Sequence, residues 1–208
     1  MMTETPPERS AAAPRFRRYS GETRAAMLVE AGLICLARGG ITAFTVDNIC
    51  REAGASRGLI THHFGSKDRL LAACYAAMYD RMSASFSAAE QETPGLAGLI
   101  EANFAPEVFN AESLRVWLAL WGEIATSEAL RSEHRARYQD YLFRMSRAIS
   151  DAADARSTRV NAHELAVLFI ALSDGLWLEH GIDPTMLSRE AARAACFAFF
   201  EKSLGPLR

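Results

Sequence analysis

Two groups of residues carry the chemistry this sequence can offer. The first is Thr45, Ser56, Arg57, Thr61, His62 and Lys67, within one short stretch. Hydroxyl, guanidinium, imidazole and ammonium groups so close together are donors of the kind that meet phosphates and base edges. The second is Trp117, Trp121, Trp177 and Asp174, three large aromatic faces and an acid set in apolar sequence. Tryptophan faces attract quaternary ammonium groups, an interaction worth about 2 kcal/mol when desolvated. An acid among apolar neighbours is costly unless something compensates it. Asp174 is therefore either the counter-ion of a cationic ligand or a core acid hydrogen-bonded by backbone or a tyrosine. Tryptophans at helical spacing also serve as plain core. No nucleophile, base and orienting group come together at readable spacing, and no phosphate loop appears. The five histidines lack metal-ligand spacing. The chemistry is that of binding, with no cofactor or metal; a helical enzyme is a remote alternative.

The first group needs two short helices and a tight turn to hold it. Thr45 can cap a helix in which Val46, Ile49, Cys50 and Ala53 repeat at i, i+3, i+4 and i+7. Phe44 before it is placed to staple onto Ile49, although Asn48 stands where a capping box has Glu or Gln. Gly54 suits a left-handed C-cap, and Ser56 is a natural N-cap for a second helix, Arg57 to Phe64. On that helix Leu59, Ile60, His63 and Phe64 share one arc, and Arg57, Gly58, Thr61 and His62 the other. The outer arc can enter a major groove or be merely solvated. Ser66 caps a further helix, leaving Lys67 in a first turn where the helix dipole disfavours a cation. A phosphate sharing the site would explain that lysine.

The run FTVDNICREAGASRGLITHHFGSKDRLL resembles the DNA-binding domain of the TetR family of bacterial transcriptional regulators. The resemblance rests on glycine placement, the Ser56 cap, the aromatic close at Phe64 and Lys67. It implies a homodimer on double-stranded DNA, one recognition helix per half-site of a palindromic operator. Arg57, Thr61 and His62 would meet bases or adjacent backbone, with Thr45, Ser56 and Lys67 on phosphates. Many members have tyrosines where this chain has Thr61 and His62, so the operator's bases do not carry over.

Around this motif the chain reads as all-α. Residues 1–18, rich in Pro, Ala and Arg, read as a disordered basic arm. Its Arg15, Arg17 and Arg18 either order on DNA or belong to a solvated tail. Residues 19–65 make a three-helix head. Its first helix runs from Ser20 to Arg38 with Met27, Ala31 and Ile34 inward, and Gly39-Gly40 end it. Residues 66–208 make a helical ligand-binding and dimerisation domain. Its helices read as Ser66 to Phe86, Leu96 to Phe104, Glu112 to Thr126, Ser132 to Ala153, Ala162 to Glu179 and Ser188 to Lys202. The Ala162–Glu179 segment is apolar nearly all round, which predicts burial on both sides. The last helix carries the small residues Ala191, Ala194, Ala195 and Ala198.

A second resemblance covers most of this body. WLALWGEIATSEALRSEHRARYQDYL and FIALSDGLWLEHGID resemble the BetI-like subgroup of the TetR family, choline-responsive repressors of glycine-betaine synthesis genes. It implies a pocket at Trp117, Trp121, Asp174 and Trp177, with Asn103, Phe104 and Tyr141 as further candidates. The implied function is a repressor released from DNA by a small cation such as choline or betaine aldehyde. The alternative is a regulator of efflux or catabolic genes answering to a drug-like or lipophilic ligand. The resemblance also implies dimerisation through the last two helices, an intrachain bundle being the other possibility.

Composition agrees with a soluble regulator. With 50% hydrophobic and 23% charged residues the chain is ordinary globular sequence. Residues 1–70 carry ten Lys and Arg against seven Asp and Glu, and residues 71–208 thirteen against eighteen. A basic head on an acidic body fits a DNA-binding end whose remainder faces away from phosphate. Cys35, Cys50, Cys74 and Cys196 are dispersed, as reduced core thiols are. Met1 to Tyr19 has no apolar core of a signal peptide, and the Leu165–Leu172 run is too short to span a bilayer. The expectation is a cytoplasmic protein without membrane contact.

Overall fold

A computed structural model describes residues 20–207. Among them the chain forms nine helices and no strand, the all-α architecture that the patterning predicts. Helix α1 (Gly21–Ala43) starts where the Ser20 hydroxyl accepts the Thr23 amide. At Gly39 and Gly40 it bends, Gly40 at φ +61°, and a last helical turn follows. The expected stop at this glycine pair is therefore a kink. Its buried stripe is Leu28, Ala31, Cys35 and Leu36, while Met27 is 38% exposed and Ile34 half-buried. Of the expected Met27, Ala31 and Ile34, Ala31 is buried and the other two give way to Leu28 and Cys35 one residue on, because both sets fit the helical period and only the neighbours choose. One neighbour is close: a Cβ on Gly32 would lie 2.8 Å from Cys74 Sγ and 2.9 Å from the Phe44 ring.

Helices α2 (Val46–Ala53) and α3 (Arg57–Phe64) complete the head. Thr45 caps α2 through its hydroxyl, and Gly54 ends it in the left-handed region at φ +59°. The long helix α4 (Lys67–Glu92) is capped by Ser66 and continues from head to body. Its buried side, with Leu70, Leu71, Cys74, Tyr75, Met78, Tyr79, Met82 and Phe86, packs against α1 and the body helices.

The body adds α5 (Leu96–Asn103), α6 (Ala111–Ile124), α7 (Glu128–Asp154), α8 (Ala162–Ile182) and α9 (Arg189–Leu204). Asn110, Ser127, Asn161 and Ser188 each cap the following helix by accepting the amide three residues on. Helix α8 corrects one expectation. Within this chain it buries only one side, through Ala166, Phe169, Ile170, Ser173 and Trp177. Val167, Leu168, Leu178 and Ile182 face outward at 37, 48, 39 and 66% exposure. Beside them α9 turns Phe197 and Phe200 into the core and leaves Ala191, Ala194 and Ala198 exposed. By length and hydropathy alone α1 and α8 would pass as bilayer spans. Both place buried side chains in the protein core, a use that needs no lipid.

Side-chain contacts from α6 and α4 onto α1 also tie body to head. Arg115 on α6 donates from Nε to the Ala37 carbonyl of α1 at 2.8 Å, just before the kink. Arg81 on α4 pairs with Glu30 on α1 at 2.6 Å.

Candidate functional site

Among the described residues of the first group, Thr45, Ser56, Arg57, Thr61, His62 and Lys67 are all exposed. They sit at helix starts or on the outer arc of α3, because Ile60 is drawn into the core and Leu59, His63 and Phe64 are half-buried. Arg17 and Arg18 lie outside the described residues. Ser56 holds the extended N-cap conformation, yet its hydroxyl caps nothing. The Leu59 amide it would serve already bonds the Ser56 carbonyl at 3.0 Å in a tight first turn. The hydroxyl is left for a partner outside the chain. Asn48, missing from the capping-box pattern, donates instead to the Ala43 carbonyl at 3.0 Å and ties the turn before α2.

Arg57 pairs with Asp47 across the α2–α3 corner. Both side chains are more than half exposed, so solvent screens the pair and the guanidinium can exchange onto phosphate at small cost. Lys67 lies 5.9 Å from the centre of the Phe44 ring. This ring offsets part of the helix-dipole penalty on the ammonium.

The second group converges in the body. Trp117 and Trp121, one turn apart on α6, hold their rings 5.8 Å apart and nearly parallel. Trp177 comes from α8, fixed edge-on by Phe109 at 5.1 Å. Tyr141 from α7 donates to Asn103 Oδ1 at 2.8 Å, and Asn103 Nδ2 donates to the Leu99 carbonyl at 2.9 Å. With Tyr79 and Met82 from α4, and Ile170, Ser173 and Asp174 from α8, these side chains line a narrow cavity of about 30 Å³. That is room for a water or two. Phe104 is elsewhere: it is buried against Phe109, ring to ring at 5.2 Å, and does not line the cavity.

Asp174 is the one acid of the cavity. Its residue surface is open to solvent on the outer side of α8, but the rest of it is crowded by protein. Loss of hydration there pushes its carboxyl up from 3.8 to about 7. No side chain among the described residues hydrogen-bonds or ion-pairs with it, so the core-acid alternative lacks its tyrosine. Its charge is felt nevertheless. Burial first, and Asp174 among the further causes, raises the phenols of Tyr79, Tyr138 and Tyr141, which stay protonated. Tyr75 is held behind Tyr79 by His134, whose Nδ1 is 2.6 Å from the Tyr75 hydroxyl. Burial lowers the His134 pKa, so the ring is neutral and Nδ1 can accept.

Sequence patterning missed Tyr79, Met82, Ile170 and Ser173 as cavity residues. Their only signal was membership of the buried stripes of α4 and α8, which core residues share. The described residues include no group of His, Cys, Asp and Glu able to hold a metal ion.

Comparison with known proteins places both regions. Residues 28–74 match the model for bacterial regulatory proteins of the tetR family, and residues 93–205 the model for the C-terminal domain of BetI-type transcriptional repressors. The transcriptional regulator BetI of Vibrio parahaemolyticus is 26% identical over 189 residues, 88% of this chain and 93% of that protein. BetI 2 of Chromohalobacter salexigens is 29% identical, covering 87% and 88%. A solved structure described as a transcriptional regulator, from Pseudomonas aeruginosa PAO1, is 34% identical at a TM-score of 0.80, over 91% of this chain and 94% of that one. Another, from Saccharomonospora viridis and solved in complex with choline, is 22% identical at a TM-score of 0.72, over 88% and 97%. An exposed helix-turn-helix edge, a helical body and family matches spanning both make this chain a member of the TetR family of transcriptional regulators with a BetI-type C-terminal domain.

Proposed function

We propose that the protein is a cytoplasmic homodimeric repressor that leaves its palindromic operator when a small quaternary ammonium cation, choline or betaine aldehyde, fills the Asp174 cavity. The observation that carries this reading is a single unpartnered carboxylate in a cavity walled by three tryptophans. Aromatic faces replace part of the cation's hydration and the carboxylate supplies its counter-charge. The choline bound to the Saccharomonospora viridis protein supports the ligand class.

Residues 19–65 form the DNA-binding unit, with residues 1–18 as a basic arm in which Arg17 and Arg18 meet phosphate or the minor groove. Residues 66–208 bind ligand and dimerise. Arg57, Thr61 and His62 of α3 face bases or nearby backbone, and Thr45, Ser56 and Lys67 hold phosphates. Dimerisation through α8 and α9 would cover the outward Val167, Leu168 and Leu178 and use the small residues of α9 for close approach. An apolar face of this kind is what a second copy buries.

Release requires ligand to favour a form whose recognition helices are wrongly spaced for successive major grooves, about 34 Å apart. The cavity is too narrow for a trimethylammonium group as it stands, so binding must move its walls. Those walls include α4, which begins in the head, and α6, whose Arg115 holds the end of α1. The test is fluorescence anisotropy of a labelled duplex from the gene's own upstream region. Choline at millimolar concentration is expected to weaken operator binding at least tenfold, within the usual range of allosteric coupling of about 5- to 150-fold. Unchanged affinity in choline and betaine aldehyde alike would refute the inducer assignment.

A further inference from the structure

Between α4 and α7 runs an open groove of about 730 Å³, whose floor includes Tyr79, Met82 and Tyr141. The same three side chains wall the aromatic cavity from its other side. One layer of side chains therefore separates solvent from the cage, and its members are not equally fixed. Tyr141 is hydrogen-bonded to Asn103 at 2.8 Å and stacked on Phe86 at 5.4 Å. Tyr79 is gripped by rings, edge-on to Trp117 at 5.2 Å and tilted on Tyr75 at 5.1 Å. Met82 is buried by packing alone, with no hydrogen bond among the described residues. An unbranched thioether with three rotatable bonds changes rotamer at little cost and fills or vacates irregular space.

From this contrast we infer that Met82 is the gate through which ligand passes from the α4–α7 groove into the cage, Tyr79 and Tyr141 being the fixed posts on either side. The inference rests on the cation-cage reading. The other opening, where Asp174 reaches the surface of α8, is flanked by the apolar side chains that a second copy would cover. A dimer formed through α8 and α9 would leave the α4–α7 groove open, and a swing of Met82 would join the two spaces with both tyrosines kept in place. The charges lining the groove balance, Arg137, Arg144 and Arg147 against Glu90, Asp140 and Asp151, and Arg137 pairs further with Glu133 at 2.8 Å and Asp80 at 2.7 Å, so the approach is not repulsive to a cation.

The gate is tested by stopped-flow tryptophan fluorescence with choline chloride on the full-length dimer. Met82→Ile keeps the bulk but stiffens the side chain at its first torsion. It is expected to slow association and dissociation together by about tenfold, the effect of about 1.4 kcal/mol on a barrier, so that both rates move in one direction and Kd moves less than either. Met82→Ala removes the gate and is expected to accelerate both rates. Rates unchanged in both Met82 variants, or a Kd that shifts through dissociation alone, would overturn the gate and make Met82 a wall contact. A variant that does not fold is identified by its melting curve, and the opposite sign expected of the other then decides. Absence of choline binding by the wild-type protein would instead refute the cage reading, and the gate with it.

Discussion

The head and the body hold their functional groups in opposite physical states. Thr45, Ser56, Arg57, Thr61, His62 and Lys67 stand in water, with a spare hydroxyl on Ser56 and a screened ion pair on Arg57. Binding phosphate there exchanges one hydrated partner for another and needs little rearrangement. In the body Trp117, Tyr141 and Trp177 are buried, and the Asp174 carboxyl has lost enough hydration to titrate near neutral pH. Here the unliganded state carries an unfavourable charge that a cation would relieve. The difference teaches how a ligand can control DNA without touching it. In the proposed mechanism a pre-exposed reading edge would be moved by a cavity that is unfavourable when empty and would have to deform when filled.

That contrast can be broken at either end. The largest effect belongs to the head: Arg57→Ala combined with Lys67→Ala is expected to weaken operator binding about 100-fold, as two charge-assisted contacts of about 1.5 kcal/mol each would. The slope of log affinity against log salt should become shallower by about two, with choline binding unchanged. If the double variant binds operator normally, these residues are solvated surface.

The next effect belongs to the body and is a dependence on pH. Only the ionised Asp174 pairs with a cation, and its carboxyl titrates at about 7. Cation affinity should therefore be flat above that pH and fall about tenfold for each unit below it, the ordinary slope for one proton. The unliganded protein moves the other way. Since the folded value of about 7 lies above the unfolded value near 3.8, the folded state binds the extra proton between them, and stability falls as pH rises through that interval. Asp174→Asn should remove both dependences, read by calorimetry and by thermal melts across pH 5 to 8.

The smallest effect concerns the link between the regions. Arg115→Ala deletes the bond from α6 to the Ala37 carbonyl while leaving Trp117 and Trp121 in place. Operator affinity and choline affinity, each measured alone, should stay within about threefold of wild type. The ratio of operator affinities without and with choline should fall about fivefold, as loss of about 1 kcal/mol of coupling implies. An unaltered ratio would assign transmission to α4 alone.

How much of this was legible in the sequence follows the same division. The head was readable because its signals are local: Thr45, Gly54, Ser66 and the outer arc of α3 lie within about one motif, and capping and periodicity are short-range rules. Where it misled, local turn geometry or a packing neighbour decided. A tight first turn leaves the Ser56 hydroxyl without a capping bond, and in α1 Leu28 is buried in place of Met27 while Gly32 meets Phe44 and Cys74. The cage was readable only in part, through the rarity of tryptophan and the oddity of Asp174 in an apolar helix. Tyr79 and Met82 look like any core residue of α4, and Phe104 looks as eligible as Asn103 until α5 is folded. The two-sided burial expected of α8 is absent from the single chain, where Val167, Leu168, Leu178 and Ile182 face outward.

The most direct measurement is titration calorimetry of the purified protein with choline at pH 8, repeated on Asp174→Asn. Saturable binding by the wild type that weakens at least 100-fold in the variant is the predicted result, since a desolvated cation would lose its only counter-charge. Equal binding by both proteins, or none by the wild type while it still binds operator, would contradict the cation cage and leave Asp174 without a ligand role.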